Sequence, residues 1–282
     1  MNCVTPYFHP RLKILCPCRK CLPCTINRKR TWTTRAIFEL MAHEFSTFLT
    51  LTYDDEHFPE NGSLSSRDLT LFWKRLRKLG LKFRYFACGE YGEKSFRPHY
   101  HAIIYGEDWQ LVDFYAKQCW DKGFVYSVPA TPETAGYVAG YVTKKMADRS
   151  ELLRLGLEPE FIRTSKGIGR NILPAIANYA LVQNGGLDII DKLKIGGQDY
   201  PLPDYIKRKL RELVLPKEHI EALKEARIKD MQDYALGLVE EFFGECDISN
   251  SNQVLQANAL ATKNEYQSLL KKDRIWNSRS KI

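Results

Sequence analysis

His99-Tyr100-His101-Ala102-Ile103-Ile104-Tyr105 is the stretch on which the fold turns. It is aromatic and β-branched enough to read as a strand, and in a strand residues i and i+2 share a face, so both imidazoles project side by side. Phe83-Arg84-Tyr85-Phe86-Ala87-Cys88 reads as the strand before it, joined by a polar, glycine-containing loop. Further upstream, Phe48-Leu49-Thr50-Leu51-Thr52-Tyr53 is a third strand that stops in Asp54-Asp55. Between them lies a well-marked helix: Ser65-Ser66-Arg67-Asp68 forms a capping box, Leu69, Phe72, Trp73, Leu76 and Leu79 fall at helical spacing, and Gly80 ends it. Downstream, Leu111 to Trp120 predicts a helix and Phe124 to Val128 a strand. Thr131-Pro132 then opens a helix running to about Arg149. Strand, helix, strand, strand, helix, strand, helix is an α+β order, expected to place helices on one face of a sheet.

Charge is distributed unevenly around this pattern. The chain of 282 residues carries 42 basic and 34 acidic side chains, a net +8, and +7 of it lies in the first 150 residues. Eight basic side chains pass before the first acidic one, Glu39. Such a segment attracts polyanions, because each phosphate neutralised releases condensed counterions. Arg28, Lys29 and Arg30 from this run, Lys74 and Arg75 from the basic ridge of the first helix, and Arg97, Lys145, Lys166 and Arg170 are the candidate DNA contacts. No apolar run approaches the roughly 18 residues of a membrane span, and the N-terminus lacks a signal-peptide pattern. A soluble intracellular protein is expected.

Three groups of residues suit chemistry. His99 and His101 offer two nitrogens to one ion, and Glu90, at the end of the preceding strand, offers a carboxylate. That mixed set suits Mg²⁺ or Mn²⁺ with positions left open for phosphate oxygens. Tyr137 and Tyr141 are i and i+4 on a helix, so both hydroxyls reach one place, and Lys144 lies a turn beyond, where an ammonium suits a phenolate or a phosphate. Gly136 and Gly140 beside them cost about 1 kcal/mol each against alanine and call for a close packing partner. Cys16-Pro17-Cys18-Arg19-Lys20-Cys21-Leu22-Pro23-Cys24 carries four thiols in nine residues, a spacing for zinc with Cys3 or His9 as extra ligands; free thiols and an iron–sulfur cluster are the alternatives. Gly89 to Ser95 lacks the glycine spacing of a phosphate-binding loop, so no nucleotide-driven motor is expected in this chain.

Taken in order, Thr50-Leu51-Thr52-Tyr53, Arg97-Pro98-His99-Tyr100-His101, and Tyr137 with Tyr141 and Lys144 resemble the three motifs of rolling-circle replication initiators of the HUH endonuclease superfamily, two-tyrosine subclass. More narrowly, Pro17 to Cys21 with Cys24, Leu51 to His57, Ala87 to Gly92 and Lys166-Gly167-Ile168-Gly169-Arg170 are similar to the replication initiation proteins of gokushovirus-type microviruses. The likeness covers about residues 16–172. It implies an HUH-type antiparallel sheet with flanking helices, a ferredoxin- or RRM-like core. It implies metal-dependent nicking and joining of single-stranded origin DNA or the viral replicative form by tyrosine transesterification, with Tyr141 acting first, in the cytoplasm of an infected bacterium. A host helicase and polymerase would be partners, with no membrane. The middle residue of the histidine motif is Tyr100 rather than an aliphatic one and should face away from the metal. Glu93 competes with Glu90 as third ligand.

The expected organisation is a basic Cys-rich metal module over 1–35, the endonuclease domain over 36–175, and a mainly helical C-terminal region over 176–282. Within the last, 205–245 is charged and helix-favouring, while 246–263, rich in Ser, Asn, Gln and Ala, suggests a loosely ordered linker or tail. A reading of another class is a non-catalytic zinc-containing nucleic-acid-binding regulator or packaging factor, with the tyrosines as stacking platforms.

Overall fold

A computed structural model describes residues 2–92, 95–144, 149–183, 185–244 and 247–279, without the side chains of 142–144, 149–150 and 275–279. The chain folds as two compact units that do not follow its order, Lys29–Val214 and Met1–Arg28 together with Leu215–Ile282.

The first unit is built on a five-stranded antiparallel sheet. Its strands are β3 (Ser46–Tyr53), β4 (Arg84–Tyr91), β5 (Pro98–Tyr105), β6 (Gly123–Pro129) and β7 (Phe161–Thr164), in the order β6-β3-β5-β4-β7. Strict alternation sorts its side chains into two cores. Leu49, Leu51, Tyr53, Ala87, Tyr91, Tyr100, Ala102 and Ile104 pack with Leu69, Phe72, Trp73 and Leu76 of α2 (Ser66–Lys78) and Val112, Ala116 and Cys119 of α3 (Trp109–Cys119). Phe48, Phe86, Cys88, Ile103 and Tyr105 pack with Ala36 and Ile37 of α1 (Leu22–Met41) and Ala135, Val138 and Ala139 of α4 (Pro132–Lys144). Helices therefore cover both faces rather than one. The reason is that β3, β4 and β5 are apolar at odd and even positions alike, which a one-sided sheet would leave wet. Ser65 caps α2 as its sequence requires, its hydroxyl accepting from Asp68 N at 3.1 Å.

β6 is an edge strand, and it meets β3 through a glycine that nothing else can replace. Gly123 has φ +138°, and a Cβ there would lie 2.3 Å from Asp54 N. After β7, α6 (Leu173–Val182), the hairpin of β8 (Lys192–Ile195) and β9 (Gln198–Pro201), and α7 (Asp204–Val214) form a third core around Phe38 of α1.

In the other unit, the hairpin of β1 (Tyr7–His9) and β2 (Ile14–Cys16) packs Phe8 against Ala235, Leu238 and Val239 of α8 (Lys217–Phe243) and Val254 and Ala257 of α9 (Ser251–Arg279). The Cys-rich segment thus shares its core with the C-terminal helices. The stretch 246–263 is not a loose tail: from Ser251 it is the first half of α9, and its buried stripe includes Val254, Ala257, Asn258 and Thr262. Small and polar residues suffice there because two long helices meet along a narrow seam. Among the described residues no helix is long and apolar enough to cross a membrane.

Candidate active site

Register assembles the histidine site. Glu90 of β4 stands directly opposite His99 of β5, and Thr50 of β3 opposite His101. Directly opposed residues share a face, here the one carrying α4. Glu90 Oε1 lies 2.7 Å from His99 Nε2 and 3.2 Å from His101 Nε2. Candidate ligand atoms of the three residues all fall within 4.8 Å of one another. The far nitrogens are held as well. His99 Nδ1 donates to the Arg97 carbonyl at 3.0 Å, and His101 Nδ1 meets Thr50 Oγ1 at 2.9 Å. Those bonds turn both Nε2 atoms toward Glu90, as outer partners of metal-bound histidines do. His101 Nε2 is buried and makes no hydrogen bond, because its approach to Glu90 lacks the angle for one. A buried acceptor left open beside a carboxylate and a second imidazole is what a divalent cation would complete.

The electrostatics agree. Burial would raise the Glu90 carboxyl, but hydrogen bonds and charge from His101 and His99 outweigh it and bring it down to about 2. Burial also lowers the pKa of His101, keeping its imidazole neutral. A carboxylate with neutral imidazoles is the ligating state.

α4 lays its tyrosines over this group. Tyr141 stacks on His101 with ring centroids 5.5 Å apart and planes at 17°, and Tyr137 meets the same imidazole edge-on at 5.2 Å. The two phenol rings are 4.9 Å apart. Tyr137 is half exposed and Tyr141 half-buried. Burial holds the Tyr141 phenol well above the ordinary tyrosine value, and its hydrogen bond with Tyr137 and the charge of Glu90 push the same way. The glycine ridge of α4 finds its packing partner in α1: Cβ atoms at Gly136 and Gly140 would meet Thr33 Cγ2 at 3.9 Å and Lys29 Nζ at 3.5 Å. Lys29 is thereby brought beside the tyrosine helix.

Tyr100 points the other way, as expected. Its hydroxyl accepts from Ser65 N at 3.0 Å and lies 2.7 Å from Tyr53 Oη, which donates to Asp68. The basic candidates divide. Lys74 and Arg75 ride on α2, which packs on the opposite face of the sheet, and Arg75 donates to the Cys119 carbonyl and Asp121. Arg97 bonds the Tyr53 carbonyl and Asp55 beneath Phe58, and Arg28 donates to the Arg19 carbonyl. Arg30, Lys166 and Arg170 are exposed. Glu93, Lys145 and the side chain of Lys144 lie outside the described residues.

Residues not singled out from sequence hold the Lys166–Arg170 loop. Buried Glu39 of α1 receives Gly169 N at 2.6 Å and Asn171 Nδ2 at 3.3 Å and pairs with Arg84, while Arg35, flat between Trp32 and Tyr205, donates to the Ile168 carbonyl at 3.0 Å. A lone acid within Ala36-Ile37-Phe38-Glu39-Leu40 was the available signal.

The cysteine group is Cys3, Cys18, Cys21 and Cys24, with sulfur atoms within 4.8 Å of one another. Cys3 takes the place expected of Cys16. Cys16 is fixed in β2 opposite Tyr7 and lies outside the group. His9 is also outside it, its Nδ1 accepting from Leu12 N. Burial acts upward on the Cys18 thiol, but the Thr5 hydroxyl and the Cys21 and Lys20 N–H groups prevail and bring it down to about 6, whereas burial pushes Cys24 up to about 12.

Comparison with known proteins gives this geometry a context. The family model for replication-associated protein ORF2 and its relatives matches residues 46–146, which run from β3 through α4. The replication-associated protein ORF2 of Spiroplasma virus 4 is 30% identical over 241 residues, 76% of this chain and 73% of that protein. Replication-associated protein VP4 of Bdellovibrio phage phiMH2K is 37% identical over 155 residues, 46% of this chain and 49% of its own. Replication-associated protein ORF4 of Chlamydia phage 1 is 29% identical over 223 residues, 70% and 54% respectively. No solved structure matches the chain.

Proposed function

This chain belongs to the family of viral replication-associated proteins just described, and we propose that it starts replication of a single-stranded DNA phage genome by cutting and rejoining DNA through tyrosine. The observation that carries the reading is Tyr141 stacked on His101, with Tyr137 beside it, over a Glu90/His99/His101 group. Glu90, His99 and His101 would hold Mg²⁺ or Mn²⁺, which when bound polarises a phosphodiester and favours ionised oxygen.

The chain's own residues do the rest. Tyr141 Oη attacks phosphorus and loses its proton; the P–O3′ bond breaks, and the leaving oxygen takes up a proton. The products are a 5′-phosphotyrosine link and a free 3′-OH that primes synthesis. Tyr137, one helical turn away, cuts the regenerated junction, and the released 3′-OH attacks the first link to close a circle. Each step exchanges one phosphodiester for another, so no nucleotide hydrolysis is needed. Lys144 and Lys29 are the cations assigned to the charge developing near α4, and Arg28, Arg30, Lys166 and Arg170 to backbone phosphates. Unwinding and synthesis fall to a host helicase and polymerase in the bacterial cytoplasm. The four thiols would hold Zn²⁺ as a structural centre.

Labelled single strands tiled across the viral genome, incubated with the chain and Mn²⁺, test the reading. An adduct that survives SDS, disappears with EDTA and is absent from the Tyr137→Phe/Tyr141→Phe variant is expected. Binding without any adduct would overturn it in favour of a non-catalytic nucleic-acid-binding regulator or packaging factor.

A further inference from the structure

The rows of the sheet that carry the histidine site do not end at β3. Glu90 stands opposite His99, His99 opposite Thr52, and Thr52 opposite Phe124 of β6; in the next row Cys88, His101, Thr50 and Tyr126 follow one another in the same way. Opposed residues share a face, so Phe124 and Tyr126 lie on the histidine side of the sheet, two strands and about 10 Å from His99 and His101. Burial around them agrees: Val125, the residue between, packs into the core with α2 and α3, while Val128, of the same parity as Phe124 and Tyr126, packs under α4. Beyond Val128 these two rings are left open, Phe124 68% and Tyr126 59% exposed.

Two large rings in consecutive same-face positions of an edge strand are costly to leave in water without an occupant. We propose that Phe124 and Tyr126 are a stacking platform for unpaired bases of single-stranded DNA, positioning the strand whose phosphodiester enters the Glu90/His99/His101 site; this rests on the cutting reading above. The rings stand about 6.8 Å apart along the strand, twice the roughly 3.4 Å per nucleotide of a duplex strand. That interval suits splayed bases and excludes a continuous base stack. Bases accept flat aromatic faces whatever their sequence. The charge on this side suits a polyanion, with Lys29 beside α4 and half-exposed Tyr137 closing the row of rings toward the site.

The test compares Phe124→Leu/Tyr126→Leu, which keeps apolar bulk and removes flat rings, with Phe124→Tyr/Tyr126→Phe, which keeps the rings. Affinity for a short fluorescein-labelled oligothymidylate is read by anisotropy in the full-length chain, alongside Mn²⁺ binding and affinity for a duplex. The leucine variant is expected to lose about tenfold or more for the single strand, with Mn²⁺ and duplex binding unchanged, and the ring-preserving variant to match the wild type. Equal affinity in all three chains, or equal loss in both variants, overturns the platform. So does a leucine variant that breaks a self-associated wild type into monomers while binding DNA as before, because the rings then cover a second copy. Adduct formation is scored separately. Adducts with affinity indifferent to the rings remove the platform and leave the cutting; affinity that follows the rings without any adduct does the reverse.

Discussion

At the scale of single residues, the candidate site is a matter of which nitrogen faces where. Thr50 fixes His101 through Nδ1 at 2.9 Å, so Thr50→Val should weaken Mn²⁺ binding by about 10- to 100-fold, measured by titration, while leaving thermal unfolding nearly unchanged. The same ring sets a pH dependence. Burial holds the pKa of His101 below its ordinary value, so the imidazole stays unprotonated throughout neutral solution and binds protons only under more acid conditions. Mn²⁺ affinity should therefore be flat above roughly pH 6.5 and fall below it; an affinity that declines already from alkaline solution would contradict this. The tyrosines give a third expectation. Tyr141→Phe should abolish the first adduct, whereas Tyr137→Phe should still form it and fail to release closed circles, both read on denaturing gels.

At the scale of elements, helices with one apolar stripe were legible and helices with two were not. α2 announces itself through its cap, its spacing and Gly80, because a single face meets a single core. α1 carries no such stripe: Ile37 faces the sheet and Phe38 the third core, so its apolar residues bunch together instead of recurring. α9 hides for the opposite reason, its contacts being made by alanine, asparagine and threonine. The histidines, Glu90 and both tyrosines were legible because strand and helix periods place them. Glu39 was not, since its partners Arg84 and Gly169 come from distant segments. Glu39→Ala would strand Arg84 and the Gly169 N–H in a buried site. It should cost about 3–5 kcal/mol in chemical denaturation, more than Glu39→Gln, which keeps hydrogen-bonding capacity.

At the scale of the whole molecule, Cys3 closes a ring that no local reading of residues 16–24 contains. Its carbonyl accepts from Asn258 of α9 at 3.0 Å, so the thiol group and the C-terminal helices are ordered together. Purified chain carrying His99→Ala and His101→Ala should retain one zinc per molecule by elemental analysis. Cys3→Ser should lose it and Cys16→Ser should keep it. Stripping that zinc should lower the melting temperature and expose residues 217–279 to protease, because metal binding to such a site is folding free energy; an unchanged digestion pattern would count against a structural centre.

The alternation of β5 makes one strand a partition between two separable properties. His99 and His101 serve one side, and Tyr100, tied to the cap of α2 through Ser65 and to Asp68 through Tyr53, serves the other. Variation at odd-numbered positions can therefore retune reactivity without loosening the scaffold, and variation at even-numbered ones can harden or soften the scaffold without touching reactivity. A lineage carrying this strand is free to explore the two independently, one residue at a time.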